Sequence, residues 1–225
     1  MRLIHNVPSA TADIGVAPLE RLHRGLRLAL LFLAGAFLLT ACERKWQTDY
    51  DAPLSNAATA NWRVSSVQVS VPETLTVSDE NRFFPRADIV WHGDPAGDRR
   101  AQVKAITTAG VKEAARGLNG SRPVVVDVTV QRFHGVRPIT QARAPGAVHN
   151  MAFAAQIRDA RTGDALTEPT LILAEMPALV GEAAYEATQF GLTQKKQVTM
   201  YIAETFSGWL GTGPDNRRSF ISVGK

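Results

Sequence analysis

The chain has 225 residues, 45% of them hydrophobic and 20% charged, with 17 Gly and 12 Pro. That composition excludes a collagen-like, a wholly disordered and a polytopic membrane protein. A formal charge of +4 is too small to point to a nucleic-acid partner, and a single cysteine, Cys42, excludes an internal disulfide.

Leu28 to Leu39 reads LALLFLAGAFLL, an uncharged run preceded by the basic residues Arg21, His23, Arg24 and Arg27. A helix needs about 20 apolar residues to cross a bilayer core. This run is shorter and has the length of a signal-peptide apolar region. Small residues follow it, and Leu39-Thr40-Ala41-Cys42 resembles the lipobox of bacterial lipoprotein precursors. The resemblance implies signal-peptidase recognition at Leu39, Thr40 and Ala41, diacylglycerol on the Cys42 thiol, and acylation of the new amino terminus. Residues 1–41 are then a signal peptide. After them the chain carries 21 Lys or Arg against 19 Asp or Glu. Anchoring therefore rests on acyl chains, and two such chains hold a protein at a membrane without a basic patch.

Residues 42–61 are polar, rich in small side chains and aperiodic. They are expected to be the lipid anchor and a flexible tether spanning roughly 25 Å. Trp46 and Tyr50 either sit at the membrane interface or are simply exposed or packed on the domain. Residues 62–225 are expected to form the periplasmic domain.

Within that domain, Val67, Val69, Val71, Leu75 and Val77 share one parity, which is strand periodicity interrupted at Pro72. Ile89-Val90-Trp91 is a short apolar run. Asp94-Pro95 then reads as a helix start, with Asp94 at the N-cap. Val103, Ile106, Gly110, Ala114 and Leu118 line one helical face that stops near Gly117 and Asn119-Gly120. Val124, Val126, Val128 and Val130 alternate with more polar residues, the clearest strand in the chain. Met151, Phe153, Ala155 and Ile157 alternate again. Arg161-Thr162-Gly163-Asp164 reads as a hairpin turn, and Leu171 to Leu173 as a strand entered at Pro169. Gly181 to Gly191 is a Gly- and Ala-rich connection. A second helix runs from about Leu192 to Leu210, with Val198, Ile202, Phe206 and Trp209 on one face. Arg217 to Val223 adds a final short strand. The pattern predicts an α+β fold: an antiparallel sheet with two main helices packed on one face.

Val148-His149-Asn150, the strand Met151–Arg158 and Asp159-Ala160-Arg161-Thr162-Gly163-Asp164-Ala165-Leu166 resemble an uncharacterised family of alphaproteobacterial lipoproteins. The resemblance implies an envelope location and carries no activity.

After residue 41 the histidines are His92, His134 and His149, none at metal-ligand spacing, and no nucleophile motif or phosphate-binding loop occurs. No cofactor or catalytic residue is expected. The polar cluster Trp91-His92-Gly93-Asp94 with Arg99 and Arg100 reads either as a small anion or partner site, or as a cap with solvated arginines. Arg132, His134, Arg137 and Arg143 read as a solvated strand and loop surface rather than a phosphate groove. The chain is thus expected to be a non-enzymatic envelope lipoprotein that meets another envelope protein from the periplasmic side, on the outer rather than the inner membrane. The alternative is an apolar-ligand binder serving an envelope transport system.

Overall fold

A computed structural model describes residues 45–84 and 86–221. The expected signal peptide, the expected recognition residues Leu39, Thr40 and Ala41, and the expected lipidation site Cys42 lie outside the described residues. The strands are β1 (Lys45–Asp49), β2 (Trp62–Ser70), β3 (Ile89–Val90), β4 (Arg122–His134), β5 (Ala147–Asp159), β6 (Thr170–Ala178) and β7 (Arg218–Ile221). The helices are α1 (Asn56–Thr59), α2 (Arg99–Ala114), α3 (Pro138–Arg143), α4 (Gly181–Gln189) and α5 (Gln194–Leu210).

The strands form one mostly antiparallel sheet in the order β2-β4-β5-β6-β1-β7, with β3 also beside β4. β2 and β3 both run parallel to β4. A parallel pair needs a long crossover, and α2 provides it. The register places Val126 opposite Ile157, Val128 opposite Ala155, and Val130 opposite Phe153. Phe153 in turn faces Ile172. Residues directly opposite share a face, so these side chains form one apolar sheet surface. The long helices α2 and α5 cover it with Val103, Ile106, Val198, Ile202, Phe206 and Trp209, all buried with it in one core. Each such burial is worth about 1.5–3 kcal/mol. α2 approaches α5 closely at Gly110, where a Cβ would meet Ile202 Cγ2 at 2.7 Å.

The predicted valine strand, the Gly163 turn and the second helix lie where the sequence puts them. Gly163 has φ of 81°, and Gly211 ends α5 with φ of 69°. Three expectations are corrected. First, residues 45–61 belong to the fold instead of a tether, so the fold includes residues ahead of residue 62. β1 lies between β6 and β7, with Thr48 opposite Ala174 and Trp46 opposite Phe220. Tyr50 is buried, and its hydroxyl donates to Asp215 Oδ1 at 2.9 Å. Second, α2 starts four residues later than predicted. Its N-cap is Asp98, whose Oδ1 accepts from Ala101 N at 3.0 Å. Third, the Gly- and Ala-rich connection is the helix α4, with Ala184 buried.

A bulge between Val130 and Arg132 decides what lies on each side of the sheet. It lets Phe133 follow Val130 onto the core face, opposite Met151. Arg132 and His134 share parity with the valines, but the bulge sends them to the other face, beside Ala152 and Asn150.

Candidate functional site

The predicted cluster before α2 does come together, but each charged group in it is engaged within the chain. Trp91 is fully buried, and its Nε1 donates to Asp94 Oδ2 at 2.8 Å. The other Asp94 oxygen lies 2.6 Å from Lys195 Nζ on α5. Burial alone would raise the Asp94 pKa, but the hydrogen bonds from Lys195 and Trp91 hold it below its usual value. Arg99 is buried. It donates to Asp79 Oδ1 at 2.6 Å, to the carbonyls of Asp94 and Pro95, and to Gln102 Oε1. Arg100 Nη2 donates to the carbonyls of Glu73 and Leu75. His92 is half-buried, and burial lowers its pKa. The cluster clamps the 73–79 segment, the start of α2 and α5 against one another. Its guanidinium groups point at carbonyls and carboxylates of the chain itself, not at a vacant anion site.

The second basic group behaves differently. Arg132, His134 and Arg137 line a cleft of about 430 Å³ together with Phe83, Phe84, Thr140 and Val148, whereas the exposed Arg143 is not part of its wall. Sequence alternation predicts a solvated surface here; the structure corrects that, because the bulge and the β4–α3 connection fold the group inward. Arg132 Nε donates to Asn150 Oδ1 at 2.8 Å, and its Nη2 lies 3.8 Å from Glu175 Oε1. His134 Nε2 donates to the Ala87 carbonyl at 2.6 Å, and burial holds the ring pKa below its usual value. Arg137 is only 6% exposed. Its Nη2 donates to the Phe83 carbonyl, while Nε and Nη1 have no partner among the described residues. Burial, reinforced by the charge of Arg82, lowers its pKa. Thr140 Oγ1 is likewise buried and unpartnered among the described residues.

The sheet face opposite the long helices is mixed in character. It carries Leu171, 48% exposed, near Leu173, with Ser66, Gln68 and Ser70 exposed on β2. Arg158 Nε reaches Asp127 Oδ2 at 3.0 Å across β4 and β5. Among the described residues no group of acidic, His or Cys side chains is arranged to hold a metal ion, and no helix is long and apolar enough to cross a membrane.

Residues 62–225 match a family of unknown function (DUF6778), and the chain belongs to that family. No curated protein matches the chain. Among solved structures it is similar to a PelC dodecamer from Paraburkholderia phytofirmans, at 11% identity and a TM-score of 0.33, covering 73% of this chain and 96% of that one. A lipoprotein candidate from Caulobacter crescentus CB15 is 16% identical with a TM-score of 0.33, covering 71% and 97% of the two chains. A minor lipoprotein from Acinetobacter baumannii is 10% identical with a TM-score of 0.32, covering 68% and 94%.

Proposed function

We propose that this member of the DUF6778 family is a non-enzymatic envelope lipoprotein, anchored through acyl chains on Cys42 and facing the periplasm from the outer membrane. Its domain engages another envelope protein through the sheet face opposite the long helices. The anchor reading rests on the uncharged run, its basic flank and the Leu39-Thr40-Ala41-Cys42 sequence. The partner reading rests on one observation: α2 and α5 both cover the same sheet face, leaving Leu171 about half exposed on the other. Apolar side chains grouped beside polar ones on an open sheet are suited to protein contact.

Both parts are tested in intact cells. An alkyne fatty acid is expected to label the wild type and not Cys42→Ser; equal labelling of the two would remove the anchor. A photocrosslinking residue in place of Leu171 is expected to give one discrete adduct. The same residue in place of Met200, exposed on α5, is expected to give none. Adducts from both positions, or from Met200 alone, would overturn the partner surface.

A further inference from the structure

We propose that the cleft beside Arg137 binds a single-chain amphiphile with an anionic head, the head paired with the Arg137 guanidinium and the chain laid along Phe83, Phe84 and Val148. A guanidinium stays protonated even when buried. Burying a cation is unfavourable unless it is paired and its N–H groups are hydrogen-bonded. Arg137 is 6% exposed, and only Nη2 has an acceptor among the described residues. The nearby carboxylates are engaged elsewhere. Glu175 accepts from Gln47 N at 2.8 Å and faces Arg132. Asp88 accepts from Thr76 N and Oγ1 at 2.8 and 2.7 Å. Glu80 pairs with Arg82. Among the described residues these carboxylates leave Arg137 without a charged acceptor, which a bound anion would supply, and the Thr140 hydroxyl in the same wall offers that anion a further donor.

The rest of the wall specifies what accompanies that charge. Phe84 is 87% exposed and Phe83 41% exposed at the rim, an unfavourable display for a rim that binds only ions. Val148 continues the apolar strip. About 430 Å³ lies near the small end of ligand pockets, which run from about 300 to 1,000 Å³. It suits a short single chain with one head group. Neither the anchor nor the partner surface enters into this assignment.

Calorimetry on the full chain in phosphatidylcholine nanodiscs, with empty nanodiscs as the blank, tests it with four probes: octanoate, octyl phosphate, octan-1-ol and inorganic phosphate. Octanoate, octyl phosphate or both are expected to bind, and the tighter of the two identifies the head group. Octan-1-ol and inorganic phosphate are expected to bind at least about tenfold more weakly, since each lacks one half of the recognised chemistry. Arg137→Gln is expected to weaken the preferred probe about tenfold or more. Phe84→Ser, at an exposed position with no core role, is expected to weaken it several-fold at an unchanged melting temperature. Absence of binding by both charged amphiphiles would overturn the proposal. So would octan-1-ol binding as tightly as octanoate, or inorganic phosphate binding as tightly as octyl phosphate in both wild type and Phe84→Ser.

Discussion

Lys195 Nζ lies 2.6 Å from Asp94 Oδ1, joining the first turn of α5 to the loop that leads into α2. The two residues are 101 positions apart in sequence, and the same carboxylate holds the indole N–H of the fully buried Trp91.

Asp94→Ala should therefore destabilise the fold mainly by stranding the Trp91 donor. The expected loss is about 1–3 kcal/mol, the range for a buried donor left without its acceptor. Lys195→Met removes only the exposed partner and should change stability by about 0–1 kcal/mol. Denaturant titration of the two variants separates the contributions; equal losses would mean that the ion pair, not the indole bond, carries the effect. The Asp94 pKa is depressed in the fold from an ordinary 3.8. Its contribution is thus present above that value and is lost as pH falls through the lower folded one.

His149 makes a second pH prediction with a different window. The ring is fully buried, and burial pushes its pKa from 6.5 down to about 4. The unfolded chain takes up a proton at this site at higher pH than the folded chain does. Stability is full above pH 6.5 and falls as the pH drops toward 4, by up to about 3 kcal/mol. Denaturation midpoints at pH 7.5 and 4.5 measure this, and His149→Leu should flatten the difference. A variant with the wild-type pH dependence would assign it to another group.

Trp209 is fully buried, with its ring edge-on to Phe206 at a centroid distance of 6.0 Å. Trp209→Ala should remove about 3–5 kcal/mol. Lys196→Ala, on the solvent side of the same helix, should stay within about 0.5 kcal/mol. Thermal melts that show Trp209→Ala unchanged would move this residue from the core to a binding surface.

Removing residues 1–61 should weaken the domain in a way that removing residues 1–44 does not. Thr48 and Tyr50 are buried, and β1 is the sheet neighbour of β7. A chain starting at residue 62 should lose about 3 kcal/mol or more relative to one starting at residue 45, from the burial of Tyr50 and its strand alone. Equal urea midpoints would show that β1 adds nothing to the core.

What could be read in advance follows from the range of the interactions. The Val124–Val130 alternation, the α5 stripe and the Gly163 turn are set by residues a few positions apart, and their pattern is visible locally. β1 is not, because KWQTD acquires strand character only from β6 and β7, more than 120 residues away. Nor is the direction of β2, since alternation is the same for parallel and antiparallel pairing. Asp94-Pro95 has the chemistry of a helix start, but its carboxylate is taken by Trp91 and Lys195, and the cap passes to Asp98. The cleft is hidden for a related reason: one unpaired residue at the β4 bulge reverses the facing of Arg132 and His134, and counting by twos carries straight through it.

The placement of β1 also sets a timetable. It precedes the other described strands in the chain, yet its neighbours β6 and β7 begin at Thr170 and Arg218. A chain emerging from its amino end can pair β4 with β2 and β5 with β4 as each appears, while β1 waits. Closing a loop of this size costs more entropy than closing a hairpin, so β1 docks late even in a complete chain. The earliest of the described strands is the last to be enclosed, and until β1 docks the β6 edge of the sheet stands open to any other extended chain nearby.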